Sequence, residues 1–307
     1  MNGRCRQAGI GLAEMLVALG LGLFVTLAAS AMLLLANRDF VHHAAGTRLD
    51  DGGRYALELV GQALRQAAWA DLDSGVPPLD SAAGIGGLDN RTLPRMAAGL
   101  EGALPAGAAA LRGSDVLAVR FGGHGSAGGD GSLVDCAGFA IGAGEPGWSI
   151  FYVGIADDGE TELRCKYQAQ SGGWNADAIV RGVDSFQVLY GLDMDRDGIP
   201  ERYLNATAIN ALDEGLALAD GTPAEQAQDL RRYTHWKRIA SVRMALLLHG
   251  EAQSRAGSLP VRYHLFGTPP QPDDPGTVVD EATLPAPLRL RARRVFEQTV
   301  LLRNRDG

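Results

Sequence analysis

A chain of 307 residues with 46% hydrophobic and 21% charged residues is long enough to bury a core and too apolar to be disordered. Its 41 glycines and 14 prolines indicate many turns and argue against a helical bundle. The net charge of −8 lacks the basic footprint that a nucleic-acid binder needs, so no direct nucleic-acid binding is expected.

The chain opens with Arg4 and Arg6, followed by an uncharged run from Ile10 to Ala36 that only Glu14 interrupts. That run is longer than the ~20 residues that cross a bilayer as helix. A charge at the centre of such a span costs at least ~2.5 kcal/mol, so Glu14 needs a partner or a place near the interface. Three readings fit the segment. One is a secretory signal cut at the small residues Ala29-Ser30-Ala31, which would release a secreted calcium-dependent binding domain or enzyme. The second is a plain membrane anchor. The third must also explain Glu14.

Beyond the apolar run, Ala56, Leu59, Val60, Ala63, Leu64, Ala67 and Ala68 keep helical spacing and form one stripe. The helix is therefore predicted to continue to about residue 70, with Gly52-Gly53 as its weakest point. Pro77-Pro78 and the following glycines end it. Strands are predicted in "DVLAVRFG", "GWSIFYVGIA", "SFQVLYGL", "RIASVRMALLLHG", "VRYHLFG" and "RRVFEQTVLLRN". The glycine-rich "GGHGSAGGDGS" has no GxxxxGK[ST] pattern and reads as a hairpin connection. The interval from Leu204 to Arg232 reads as a variable insertion.

Three cysteines are present, and removal of a leader holding Cys5 would leave Cys136 and Cys165 as an even pair in an oxidising compartment, where one disulfide is expected. No zinc-ligand spacing occurs, and no histidine joins a nucleophile signature, so no enzyme activity is expected. The sharpest constellation is "LDMDRDGIPERYLN". Asp193, Asp195 and Asp197 alternate before Gly198 like the first half of a calcium loop, but the twelfth position is Leu204 where an EF-hand needs glutamate. A calcium turn completed by Glu201 and a solvated acidic turn fit this stretch equally.

The short basic leader ending in Gly9, followed by Ile10 and by Glu14 as the fifth residue of an apolar helix, resembles a type IV prepilin. The segments "LDDGGRYALELVGQALRQA", "GSDVLAVRFG", "GVDSFQVLYGLDMDRDG", "WKRIASVRMALLLHG" and "RRVFEQTVLLRNR" resemble PilW-type minor pilins across most of the chain. The resemblance implies an α+β fold, with a long amino-terminal helix whose first half spans the membrane and a mainly antiparallel β head of pilin type. It divides the chain into a leader (1–9), a helix (10–70) and a periplasmic or extracellular head (71–307). It implies cleavage between Gly9 and Ile10 by a prepilin peptidase, and pairing of Glu14 with the new amino terminus of a neighbouring subunit. The implied partners are other minor pilins, the major pilin and a large tip adhesin. The subunit is expected in the inner membrane as a single-pass protein before assembly and in the pilus afterwards, supporting adhesion and twitching motility. The nearest alternative is a minor pseudopilin of a type II secretion system.

Overall fold

In the computed structural model the described residues are 11–69, 81–96, 109–169, 172–218, 220–252, 254–255, 259–267 and 274–304. The expected cleavage point, Gly9 and Ile10, lies outside them. The first element is the helix α1 (Leu12–Gln66), matching the predicted helix apart from its ends. Two compact units follow one another along the chain, Met1–Arg48 and Leu49–Gly307.

In the first unit, Leu12–Asn37 is long and apolar enough to cross a membrane, and none of it is covered by other parts of the protein. Leu16, Val17, Leu19, Leu21, Leu23, Phe24 and Leu27 are all exposed.

In the second unit, the end of α1 buries Gly53, Ala56, Leu57, Val60, Ala63 and Leu64, and Ala67 just past it is buried too. The stripe is the predicted one with a small rotation: Leu57 is buried, and Leu59 is only half-buried. Gly53 is required by packing. A Cβ there would lie 2.3 Å from Cε2 of Phe296, so the pair of glycines that weakens the helix locally also lets an aromatic ring approach its backbone.

The head has two antiparallel sheets. A five-stranded sheet runs in the order β1 (Ile85–Leu88), β2 (Val116–Gly122), β3 (Pro146–Ile155), β4 (Thr161–Gln168), β5 (Trp174–Arg181). Its neighbours are sequential, so it is a meander. A four-stranded sheet places β6 (Val183–Leu192) between β7 (Arg202–Leu204) and β8 (Ile239–His249), with β11 (Arg293–Leu301) at the other edge beside β8. A small pair, β9 (Arg262–His264) and β10 (Val278–Asp280), completes the pairing.

One core joins these layers. The α1 stripe packs with Leu117, Val119, Phe151, Val153 and Leu163 of the first sheet and with Phe186, Val188, Tyr190, Met244 and Leu246 of the second. On the opposite face of the second sheet, Leu265, Val279 and Leu284 pack on Ala245 and Leu247. At roughly 1.5–3 kcal/mol for each fully buried large apolar side chain, these clusters hold the two sheets and the helix end together.

The segment read as an insertion is ordered structure. It holds α2 (Ala206–Glu214), capped by the Asn205 side chain on the Ala208 amide, and α3 (Pro223–Tyr233), opened by a Thr222/Glu225 capping box. Ile209 of α2 is fully buried in the main core. Cys136 and Cys165 are joined as a disulfide, which ties the long β2–β3 connection to the middle of β4.

Candidate functional site

The start of α1 is built by Gly11 and Glu14. The Met15 amide makes the first helical bond to the Gly11 carbonyl at 3.2 Å, and Oε2 of Glu14 accepts the Gly11 amide at 3.1 Å. Glu14 is thus an acid in the first turn that closes back on an unpaired helix amide. It is exposed on the side of the helix, beside the exposed Met15, Leu16 and Val17. Among the described residues, the amide of Gly11 is the group this carboxylate bonds. A full buried charge would need more than that.

The second predicted site is the turn after β6. One ligand oxygen from each of Asp193, Asp195 and Asp197 lies within 4.8 Å of the others, so the three are brought together as expected. They are also engaged with the backbone. Asp193 accepts the amides of Arg196 at 2.6 Å and Gly198 at 2.8 Å, Asp195 accepts the amide of Asp197 at 3.1 Å, and Asp197 accepts that of Ile199 at 2.7 Å. Glu201 turns to the Met194 amide at 2.9 Å, which holds its carboxyl below the usual range. Although the Asp197 amide favours its charge, partial desolvation and then the carboxylates of Asp197, Glu201 and Asp193 lift Asp195 above the usual range. Asp193 is buried whereas Asp195 and Asp197 are exposed, so the turn has one anchored acid and two solvated ones.

Among the described residues, His124, His235 and His249 pair with carboxylates. Nδ1 of His124 meets Asp130 at 2.9 Å and Ser132 Oγ at 3.5 Å, while that hydroxyl donates to Asp130 at 2.6 Å. The serine proton is already directed to the acid, and the imidazole meets both groups through one nitrogen. A triad needs the second nitrogen to face the serine. His235 similarly joins Asp213 at 2.7 Å in a group whose threonine, Thr234, also donates to Asp213.

Sequence reasoning missed a buried ionic network. The Asp184 carboxylate, fully buried at the start of β6, meets Arg293 Nε at 2.6 Å, Arg112 at 2.9 Å and His249 Nδ1 at 3.2 Å. Arg293 continues to Glu281 at 2.9 Å, and His249 Nε2 continues to Glu160 at 2.7 Å. Burial pushes the Asp184 carboxyl up, but His249, Arg112 and Arg293 outweigh it and hold it below the ordinary range. The six members, Asp184 included, come from separate stretches of chain, so no local spacing announces them. A second missed cluster joins Asp89, Asp115 and Asp274.

The geometry thus offers an apolar helix with one acid, a mainly antiparallel β head and a structural ion network. The sequence model described as Type IV Pilus-assembly protein W matches residues 150–304. That stretch covers half of the chain, from β3 through β11, and includes five members of the Asp184 network. It excludes α1, so the leader residues are independent of it. A solved structure, a type IV-like pilin from Thermus thermophilus, aligns over 85% of this chain and 99% of its own length, at 13% identity and a TM-score of 0.40. No curated protein matches the sequence. On the match through its head, the protein belongs to the family of Type IV Pilus-assembly protein W.

Proposed function

We propose that the protein is a minor pilin that primes, assembles or caps a type IV pilus. The observation that carries this reading is the pairing of a head of this family with an exposed, membrane-length apolar helix whose lone acid lies in its first turn. A prepilin peptidase removes residues 1–9, and the subunit waits in the inner membrane with its head in the periplasm. Packing of α1 against other minor pilins and the major pilin then exchanges the weak Gly11 contact of Glu14 for the cationic amino group of a neighbour's Ile10. Burying both charges together in an apolar bundle offsets most of the cost of burying either alone, so the pair fixes axial register. A large tip adhesin is a further partner, and adhesion and twitching motility arise from the assembled fibre.

Two substitutions separate this role from a purely local one. Glu14→Ala is expected to insert in the membrane as well as the parent, since a charge is removed from an apolar span. Co-purification with other pilins and surface pilus yield are expected to fall. Glu14→Gln keeps an acceptor for the Gly11 amide and lacks the charge, so it is expected to fail like alanine; wild-type assembly with glutamine would reduce Glu14 to a helix cap. Recovery of secretion-system pseudopilins in place of pilins would move the subunit to the type II machine.

Calcium at Asp193, Asp195 and Asp197 is proposed as a weak ligand, on the order of 0.1–1 mM, as in extracellular modules. The backbone amides already bonded to these carboxylates compete for the same oxygens.

A further inference from the structure

The buried cluster has a different chemistry from the exposed turn. Asp89 directly follows β1, Asp115 directly precedes β2, and Asp274 lies four residues before β10; one oxygen from each falls within 4.8 Å of the others. Asp115 is 1% exposed and Asp274 6%. The oxygens of Asp89 accept the first amides of α2, Ala206 at 3.0 Å and Thr207 at 2.7 Å. Those of Asp115 accept the amides of Asn90 at 3.1 Å and Val188 at 2.9 Å. Asp274 differs. Among the described residues neither of its oxygens has a partner of good hydrogen-bond geometry, and a weak contact from the Asn205 side chain is what favours its charge.

A second polar group at the cluster also lacks a partner. The Tyr190 hydroxyl is buried without a hydrogen bond, packs against Gly87 two residues before Asp89, and feels the charge of all three aspartates. The charges acting on Asp115 and Asp274 are carboxylates; burial first, then the neighbouring acids, pushes Asp274 up to about 6 and Asp115 well above the ordinary range. The cluster is also held in place. Gly113 and Gly276, both with positive φ, meet so closely that a Cβ on either would strike the other's segment. Ser185 and Gln187 then donate to the carbonyls of Gly276 and Gly113 at 3.0 and 2.8 Å.

We propose that Asp89, Asp115 and Asp274 form a buried calcium site, with the Tyr190 hydroxyl beside it, that clips the β1–β2 edge to the α2 start and to the turn before β10. Calcium takes oxygen ligands at about 2.3–2.6 Å in flexible geometry, whereas magnesium demands near-ideal octahedral geometry at about 2.0–2.1 Å and keeps several waters, which suits a buried cluster less well. Calcium accepts six to eight oxygens in flexible geometry, so three carboxylates, a hydroxyl and water suffice. The ion supplies the positive charge that the surrounding side chains do not.

The test uses the full chain in detergent micelles, stripped with chelator and titrated with calcium or magnesium chloride at pH 7.5. Wild type and Asp195→Asn are expected to bind calcium at the buried cluster and to melt at higher temperature with it, magnesium acting at least tenfold more weakly. In the Asp195→Asn background, Asp274→Asn is expected to weaken binding at least tenfold and to lose the calcium-dependent rise. Should Asp274→Asn fail to fold, hydrogen exchange on wild type decides: calcium is expected to protect the amides of Asn90, Val188, Ala206 and Thr207. No such protection, or the same calcium response in folded Asp195→Asn/Asp274→Asn as in Asp195→Asn, overturns the site. So does full stabilisation by acid with no effect of calcium, which would leave protons as the only counter-charge.

Discussion

Replacing Asp184 with alanine is expected to destabilise the head by about 3–5 kcal/mol, because a buried ionic group is deleted while its partners stay buried. Arg293, 0% exposed in its side chain, loses a 2.6 Å bond. Arg112, already lowered mainly by burial, loses the carboxylate that most offsets that burial. His249 loses one of its two acids. A loss of this size is a large part of the ~5–15 kcal/mol that ordinarily holds a domain. Thermal or urea unfolding of the detergent-solubilised chain measures it, and a loss below about 1 kcal/mol would show that the cations find other partners. The sign with pH follows from the depressed carboxyl. Its contribution is present at neutral pH and is lost as acid takes the pH below the ordinary aspartate range, through the lower folded value.

Reduction of the Cys136–Cys165 disulfide is expected to cost the head about 3–4 kcal/mol. The bridged residues are 29 apart, so the open chain regains the freedom of a loop that holds all of β3. Chain entropy gives that figure for a loop near ~30 residues, and enthalpic accounts of disulfides assign it differently without changing its sign. Local losses add to it. Cys165 lies in the main core, and the amide of Cys136 is held by the Ser149 hydroxyl at 3.0 Å. Comparing melting with and without reductant in wild type and in Cys136→Ser/Cys165→Ser checks the effect. An equal melting temperature in both states of wild type would contradict it.

The parts of the fold that were legible carry their burial in apolar spacing. The α1 stripe and β2, β3, β6, β8 and β11 all read from hydrophobic pattern. Two of the hidden strands have polar burial or a bare backbone. In β4, "TELRCKYQ", Glu162 pairs with Arg164 at 2.7 Å, and the buried Lys166 donates to the carbonyls of Pro94 and Arg95 at 2.9 and 3.1 Å. Such charges read as surface until their partners are known. β1 reads as a breaker because Gly86 and Gly87 dominate it, yet a Cβ on Gly87 would fall 1.9 Å from the Tyr190 hydroxyl.

The sites divide in the same way. Asp193, Asp195 and Asp197 are found from alternate spacing because all three lie on one turn. Asp89, Asp115 and Asp274 share no spacing and meet only through the folding of both sheets, so a motif search passes over them. The first strand reading of β6 begins at Ser185, one residue after Asp184, the acid on which the buried network centres.

The most direct test of the account is the amino terminus of the mature protein recovered from membranes. Intact mass and amino-terminal sequencing are expected to show a chain that starts at Ile10, with Glu14 retained as its fifth residue and α1 still attached to the head. A chain that starts at Met32 would have lost Glu14 with a secretory signal, and would contradict the pilin mechanism.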